Sequence, residues 1–168
     1  NEFIHRKEAR RMDKFSQYAM VVTDEAIDDS GFSKGDFNPD RVGVIWGSGI
    51  GGLETFQNEA QALLKARENG TGPKFNPFFI PKMIADIAPG NISIKHGFRG
   101  PNYTTVSACA SSSNALIDAF TYIRLGKADV IVTGGSEAAV CRLGMAGFSA
   151  ARALSSNFND YPEKASRP

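Results

Sequence analysis

Three short runs, RVGVIWG (41–47), NYTTVSA (102–108) and DVIVTGG (129–135), constrain this chain more than any other feature. Each has the β-branched and aromatic composition of a strand and lies close to a glycine or proline. The segments around them have a helical period instead. Met12, Phe15, Ala19, Val22 and Ala26 recur at steps of three and four, with Gly31 as a stop. Leu53, Phe56, Ala60 and Leu63 mark a second amphipathic helix ending near Gly70, and residues 112–125 a third. Residues 138–155 are predicted helical with a break at glycine. Strands alternating with helices imply an α/β layer fold with a mainly parallel sheet. The stretch TGPKFNPFFIPK (71–82) holds three prolines and is predicted to be an extended loop, although Phe75, Phe78, Phe79 and Ile80 then need cover. A short helix around residues 83–87, a turn at Pro89-Gly90 and another short helix are expected next.

Composition narrows the possibilities. The chain has 168 residues, enough for one domain with a sizeable core, and a net charge of +1 that suggests neither a nucleic-acid nor a membrane partner. Its apolar runs fall short of the roughly 20 residues that span a bilayer. The charged start, NEFIHRKEARRMDKF, does not read as a signal peptide. Two cysteines make no disulfide framework, so a reducing cytoplasm is the expected location. The first residue is not methionine and the last residues, EKASRP, have loop composition, so the chain reads as a piece of something longer.

The glycines of GSGIGG (47–52) satisfy G-x-G-x-x-G after a strand and before a helix. A dinucleotide site also needs a second strand after that helix, with an acidic residue for the ribose, and the proline-rich stretch stands there instead. Glycines that turn the chain and let backbones approach closely are the ordinary explanation. Ile50 fits it less well: a bulky side chain set among glycines suits a movable pocket wall.

In TTVSACASSSNALIDAF (104–120), a strand runs into a helix and Cys109 stands at the corner. A thiol attacks as thiolate, and an unperturbed cysteine has a pKa near 8.5. Unpaired N–H groups and the dipole at a helix start favour the anion, and the same N–H groups can hold an oxyanion after attack on a carbonyl. Ala108, Ala110 and Ser111 leave room for substrate. Inert packing is the alternative for Cys109 and the expected role of Cys141. Surface exposure for His5 and carbonyl capping for His96 are the ordinary explanations, so the nucleophile lacks an evident acid–base partner.

From Thr104 to Val140 the sequence, TTVSACASSSNALIDAFTYIRLGKADVIVTGGSEAAV, resembles the nucleophile region of the β-ketoacyl-[acyl-carrier-protein] synthases, in particular the elongating type II enzymes of bacterial fatty acid synthesis. RKEARRMDKFSQYAM, GSGIGGLETF, NPFFIPKMIADIAPGNISIKHGFRGPNY and GFSAARALS fit the family in order, so the resemblance covers nearly the whole chain. It implies a thiolase-like fold of two related α/β halves in a homodimer. Residues 1–168 would be most of the first half, without its opening strand and helices. The family's two catalytic histidines, its lysine and a glycine-rich loop belong to the second half, which would explain the unpaired nucleophile.

The resemblance makes Cys109 the acyl acceptor in a decarboxylative Claisen condensation of an acyl thioester with malonyl-acyl-carrier protein. No metal or bound cofactor is implied; substrates arrive on the phosphopantetheine of acyl carrier protein. Ile50 would gate the acyl tunnel, Phe148 and Ala108 would line the substrate site, and Phe79 would reach the partner subunit's acyl pocket. Lys7, Arg10, Arg11, Lys74 and Arg152 would form a basic patch for the acidic carrier protein, the first three sharing a helix face. A polyketide-type ketosynthase and a non-catalytic chain-length factor are the alternatives within the superfamily, although Cys109 argues against the second. A cysteine hydrolase would need a placed histidine, and a binding module would leave Cys109 and Ile50 unexplained.

Overall fold

The structure, a computed structural model, describes residues 3–32 and 37–166. Its helices are α1 (Arg6–Ala9), α2 (Lys14–Asp29), α3 (Leu53–Glu68), α4 (Phe79–Met83), α5 (Ile87–His96), α6 (Ser111–Arg124) and α7 (Arg142–Ala150). Its strands are β1 (Val42–Gly47), β2 (Asn102–Thr105) and β3 (Val130–Gly135). Among the described residues these strands form one parallel sheet in the order β2-β1-β3, with Ile45 beside Tyr103 and Thr133.

Alternation along β1 divides the core in two, because successive side chains point to opposite faces. Val42, Val44 and Trp46 pack with Phe15, Ala19 and Met20 of α2 and with Ala88 and Ile92 of α5. Ile45 faces the other way, onto Ala115 and Ala119 of α6. Every residue of β1 is buried, as expected of a central parallel strand covered on both faces. The run 129–135, wholly apolar from Val130 to Val132, reads as a buried strand. Its strand β3 is half-buried instead, because it lies at the sheet margin with β1 on one side.

Two apolar stripes differ from expectation. Phe15 and Ala19 are buried on α2, but Val22 and Ala26 are exposed and Ser16, Met20 and Thr23 take the inner face. On α3 the buried residues are Thr55 and Gln57, whereas Phe56 and Leu63 point outward. These polar side chains join helix ends. Asp13, itself buried, accepts through Oδ1 from the Phe15 amide (3.4 Å) and through Oδ2 from the Thr55 amide (3.0 Å) and hydroxyl (2.5 Å). It therefore caps α2 and α3 together. Gln57 Oε1 accepts from the Leu143 amide at 2.8 Å, in the first turn of α7.

Proline also sits where an extended chain was expected. Residues 71–76 are irregular, but α4 contains Pro81, and α5 runs straight through Pro89-Gly90 without the expected turn. Both prolines lie in a first helical turn, where their missing N–H would have no intrahelical acceptor. The last predicted helix is shorter than its apolar run: α7 passes through Gly144 and Gly147 unbroken and stops at Ala150. Arg152, at φ +54°, supplies the left-handed residue that closes it. None of the helices among the described residues is long and apolar enough to cross a membrane.

Candidate active site

Between the end of β2 and the start of α6 the chain makes a sharp corner. Ala108 is left-handed (φ +50°), a conformation uncommon for a residue with a Cβ, and it opens a one-turn 3-10 helix, Ala108–Ala110, that carries Cys109. Ser111 staples this corner. Its hydroxyl accepts from the Ser107 amide (2.9 Å) and donates to the Ala108 carbonyl (2.7 Å), while its own carbonyl accepts from the Thr105 hydroxyl (2.7 Å). Asn114 Nδ2 donates to Ser107 Oγ at 2.6 Å. Cys109 is thereby held exposed, two residues ahead of α6, whose first-turn amides have no intrahelical acceptors.

Glycine lets that helix start come down onto the sheet. A Cβ at Gly47 would lie 2.5 Å from the Ser111 carbonyl carbon and from the Ser112 nitrogen. At Gly135 it would lie 1.9 Å from Ser112 Oγ. The G-x-G-x-x-G pattern therefore has its close-approach meaning: where a nucleotide's phosphates would need room, the backbone of α6 is packed.

The corner opens into a cleft of ≈ 470 Å³ whose walls include Ser48, Ile50, Ala108, Cys109, Glu137 and Phe148. A second cavity of ≈ 270 Å³ is lined by Leu53, Phe56, Met83 and Ile84 among others. Ile50 is common to the two linings. Ser48 is buried, and its hydroxyl has no hydrogen-bond partner among the described residues.

Four residues singled out from sequence, Cys109, Ala108, Ile50 and Phe148, thus share one cleft. Phe79 does not. It begins α4, is half-buried and stacks on Phe75 at 5.9 Å. Lys7, Arg10, Arg11, Lys74 and Arg152 are all exposed. The helix face expected for the first three is not formed: α1 ends at Ala9, Arg10 caps it, and Arg11 lies beyond with its guanidinium 5.2 Å from the Phe78 ring. His5 is exposed at the N-cap of α1, its Nδ1 accepting from the Lys7 amide. His96 Nε2 lies 3.0 Å from Asp24 Oδ1 and its ring stacks on Phe98. Cys141 is half-buried ahead of α7.

The cleft residue that sequence reasoning missed is Glu137. Its Oε2 accepts from the Gly49 amide (2.9 Å) and the Ile50 amide (2.7 Å). The available signal was position: an acidic residue two places past the end of a parallel strand, where clefts of such sheets open. Among the described residues no cluster of histidine, cysteine and acidic side chains could hold a metal ion.

Comparisons with known proteins agree with this architecture. The family described as beta-ketoacyl synthase, N-terminal domain, matches residues 2–168. A 3-oxoacyl-[acyl-carrier-protein] synthase 2 of Staphylococcus aureus (strain N315) is 46% identical over 168 residues, covering 99% of this chain and 39% of that protein. A beta-ketoacyl synthase from Burkholderia phymatum STM815, known from its crystal structure, superposes with a TM-score of 0.79 at 30% identity, over 98% of this chain and 39% of its own. The fold also matches, with a TM-score of 0.80 at 24% identity over 94% of this chain and 45% of its own, a chain from a type II polyketide synthase complex of acyl-carrier protein and ketosynthase. The architecture is the thiolase-like ketosynthase fold, and the chain spans about 39% of the length of the curated relatives it matches.

Proposed function

The chain belongs to the β-ketoacyl synthases, as their N-terminal domain, and from that membership we propose that the protein of which it forms part is a 3-oxoacyl-[acyl-carrier-protein] synthase with Cys109 as acyl acceptor. One observation carries the proposal: the exposed thiol stands at a strained, stapled corner before a helix, in a cleft that shares Ile50 with a second, apolar cavity.

The chemistry follows from that placement. Cys109 Sγ, as thiolate, attacks the carbonyl carbon of an acyl group carried on the phosphopantetheine of acyl carrier protein. The new C–S bond forms as the carrier's C–S bond breaks, and the departing carrier thiolate takes up a proton. This exchange of one thioester for another is nearly balanced, which suits a thiol. Malonyl-acyl-carrier protein then loses carbon dioxide, and its carbanion equivalent attacks the Cys109 thioester. A C–C bond forms, the C–S bond breaks, and the thiolate is restored. The first-turn amides of α6 are donors suited to charge developing on the carbonyl oxygen. Groups that assist decarboxylation belong to the rest of the protein.

In this reading the acyl chain leaves the cleft past Ile50 into the apolar cavity, and Phe148 and Ala108 shape the space beside the thioester. Exposed Lys7, Arg10, Arg11, Lys74 and Arg152 meet the acidic carrier, and Phe79 reaches a second copy in a homodimer. Fatty acid elongation is preferred over polyketide assembly because the 46% relative is a 3-oxoacyl-[acyl-carrier-protein] synthase 2, while the polyketide likeness, at 24% identity, is one of fold alone.

Intact-mass measurement of the full-length protein after incubation with acyl carrier protein bearing a saturated acyl chain tests the proposal. The expected result is addition of one acyl mass, located to Cys109 and lost in Cys109→Ala. An unmodified protein under conditions where the carrier remains acylated would overturn it.

A further inference from the structure

The carboxylate of Glu137 does more than line the cleft. Two consecutive amides, those of Gly49 and Ile50, converge on its Oε2, an arrangement of the kind that binds anions. Hydrogen bonds to an ionised acceptor are roughly twice as strong as neutral ones. The turn is close-packed at Gly49 as well, where an added Cβ would lie 3.2 Å from Glu137 Oε2 and 3.4 Å from the Ala108 carbonyl oxygen. It is held between the carboxylate and the residue preceding the nucleophile.

The base from which Glu137 reaches is anchored. Ser136 Oγ accepts from Trp46 Nε1 at 2.9 Å and donates to the Phe15 carbonyl at 2.8 Å, tying the segment after β3 to the core. By contrast Ile50 is 45% exposed and lines two cavities. A fixed carboxylate therefore grips the backbone of a side chain that has room to move.

We propose that Glu137 is a positioning residue: its carboxylate latches the Gly49 and Ile50 amides, keeps Ile50 as the wall between the cleft and the apolar cavity, and so sets which acyl lengths Cys109 accepts. The inference rests on the reading of Cys109 as acyl acceptor. Releasing the latch frees the wall, which favours long chains over short ones that never reach it.

The test uses the full-length enzyme, wild type and with Glu137→Ala or Glu137→Gln. Acylation of Cys109 by acetyl and by dodecanoyl carrier protein is followed by intact mass, and the ratio of the two rates is compared. Glu137→Ala removes both charge-assisted hydrogen bonds and is expected to raise the long-to-short ratio at least about tenfold, the effect of losing one of them. Glu137→Gln, which retains one acceptor oxygen, should fall between. A role confined to stability would lower both rates together and leave the ratio alone. An unchanged or lowered ratio in a variant that still acylates overturns the latch. If Glu137→Ala does not fold, Glu137→Gln decides by the same criterion. Failure of the wild-type enzyme to acylate with either thioester instead overturns the reading of Cys109.

Discussion

Replacing Gly47 by alanine tests the packing on which the cysteine corner rests. The added methyl would sit 2.5 Å from two backbone atoms at the start of α6, with the Ser111 carbonyl oxygen at 2.7 Å. Backbone cannot swing aside as a side-chain tip can. Ordinary contact begins at 3.4 Å, so the helix start must retreat by roughly 1 Å, and overpacking of this kind costs about 1–3 kcal/mol. The retreat carries Cys109 with it, and a misplacement of roughly 1 Å can cost about 100-fold in rate. The assay is the rate of Cys109 acylation in the full-length Gly47→Ala enzyme, with urea unfolding in parallel. Gly90→Ala is the control: it lies in α5 with nothing within 4 Å of the added methyl, and should gain up to about 1 kcal/mol without altering the rate. Acylation by Gly47→Ala is expected to fall about 10- to 100-fold while the protein stays folded. An unaltered rate would refute the claim that glycine is there to seat the helix.

Removing Asp13 should be costly for a residue far from chemistry, because it caps two helices at once. Asp13→Ala is expected to destabilise the full-length protein by about 2–4 kcal/mol, read as a lowered urea midpoint, and a loss below about 0.5 kcal/mol would count against the shared cap. Tyr103 gives a pH signature. Burial, and then its hydrogen bond to Asp118 at 3.0 Å, raise its phenol above the ordinary value of about 10. The native state therefore keeps a proton that the unfolded chain has lost, so this contribution to stability is complete below about pH 10 and declines as pH rises above it. Ultraviolet titration should show a late-ionising phenol that Tyr103→Phe removes; ionisation of Tyr103 together with an ordinary tyrosine would contradict the assignment.

The alternation of strand and helix was legible because each run of residues obeys its own period, and the cysteine corner because strand, small residues and helix follow one another in sequence. What periodicity does not carry is the identity of the neighbour. Leu53, Phe56, Ala60 and Leu63 form a proper stripe on α3, yet the residues buried on that helix are Thr55 and Gln57, hydrogen-bonded to Asp13 and to the start of α7. The same holds for α6, which buries Ala115 and Ala119 against the sheet and leaves Leu116, Ile117 and Phe120 exposed. Small residues mark where helix and sheet come close, and the larger apolar ones face away from that contact. Proline misled for a related reason: composition records the missing donor, but only position in a helix says whether the donor was needed. Glu137 was overlooked because its two partners lie 87 and 88 residues away in sequence.

Strand order explains why these distant pieces meet. In a parallel sheet every strand delivers its following loop to the same end, and here the order β2-β1-β3 sets the glycine turn after β1 between the cysteine corner after β2 and the Glu137 segment after β3. The middle loop has the least space, since it is bounded on both sides and α6 descends onto the strand beneath it. Glycine satisfies that restriction while leaving one large side chain, Ile50, to divide the remaining space. Reactivity and chain length would then be set from one end of one sheet: the sulfur from its outer loop on one side, the wall from the carboxylate on the other. A change at Gly47 should reach both, by moving the corner and the turn together, whereas a change at Glu137 should reach the wall and spare the sulfur. That difference separates a packing defect from a released latch.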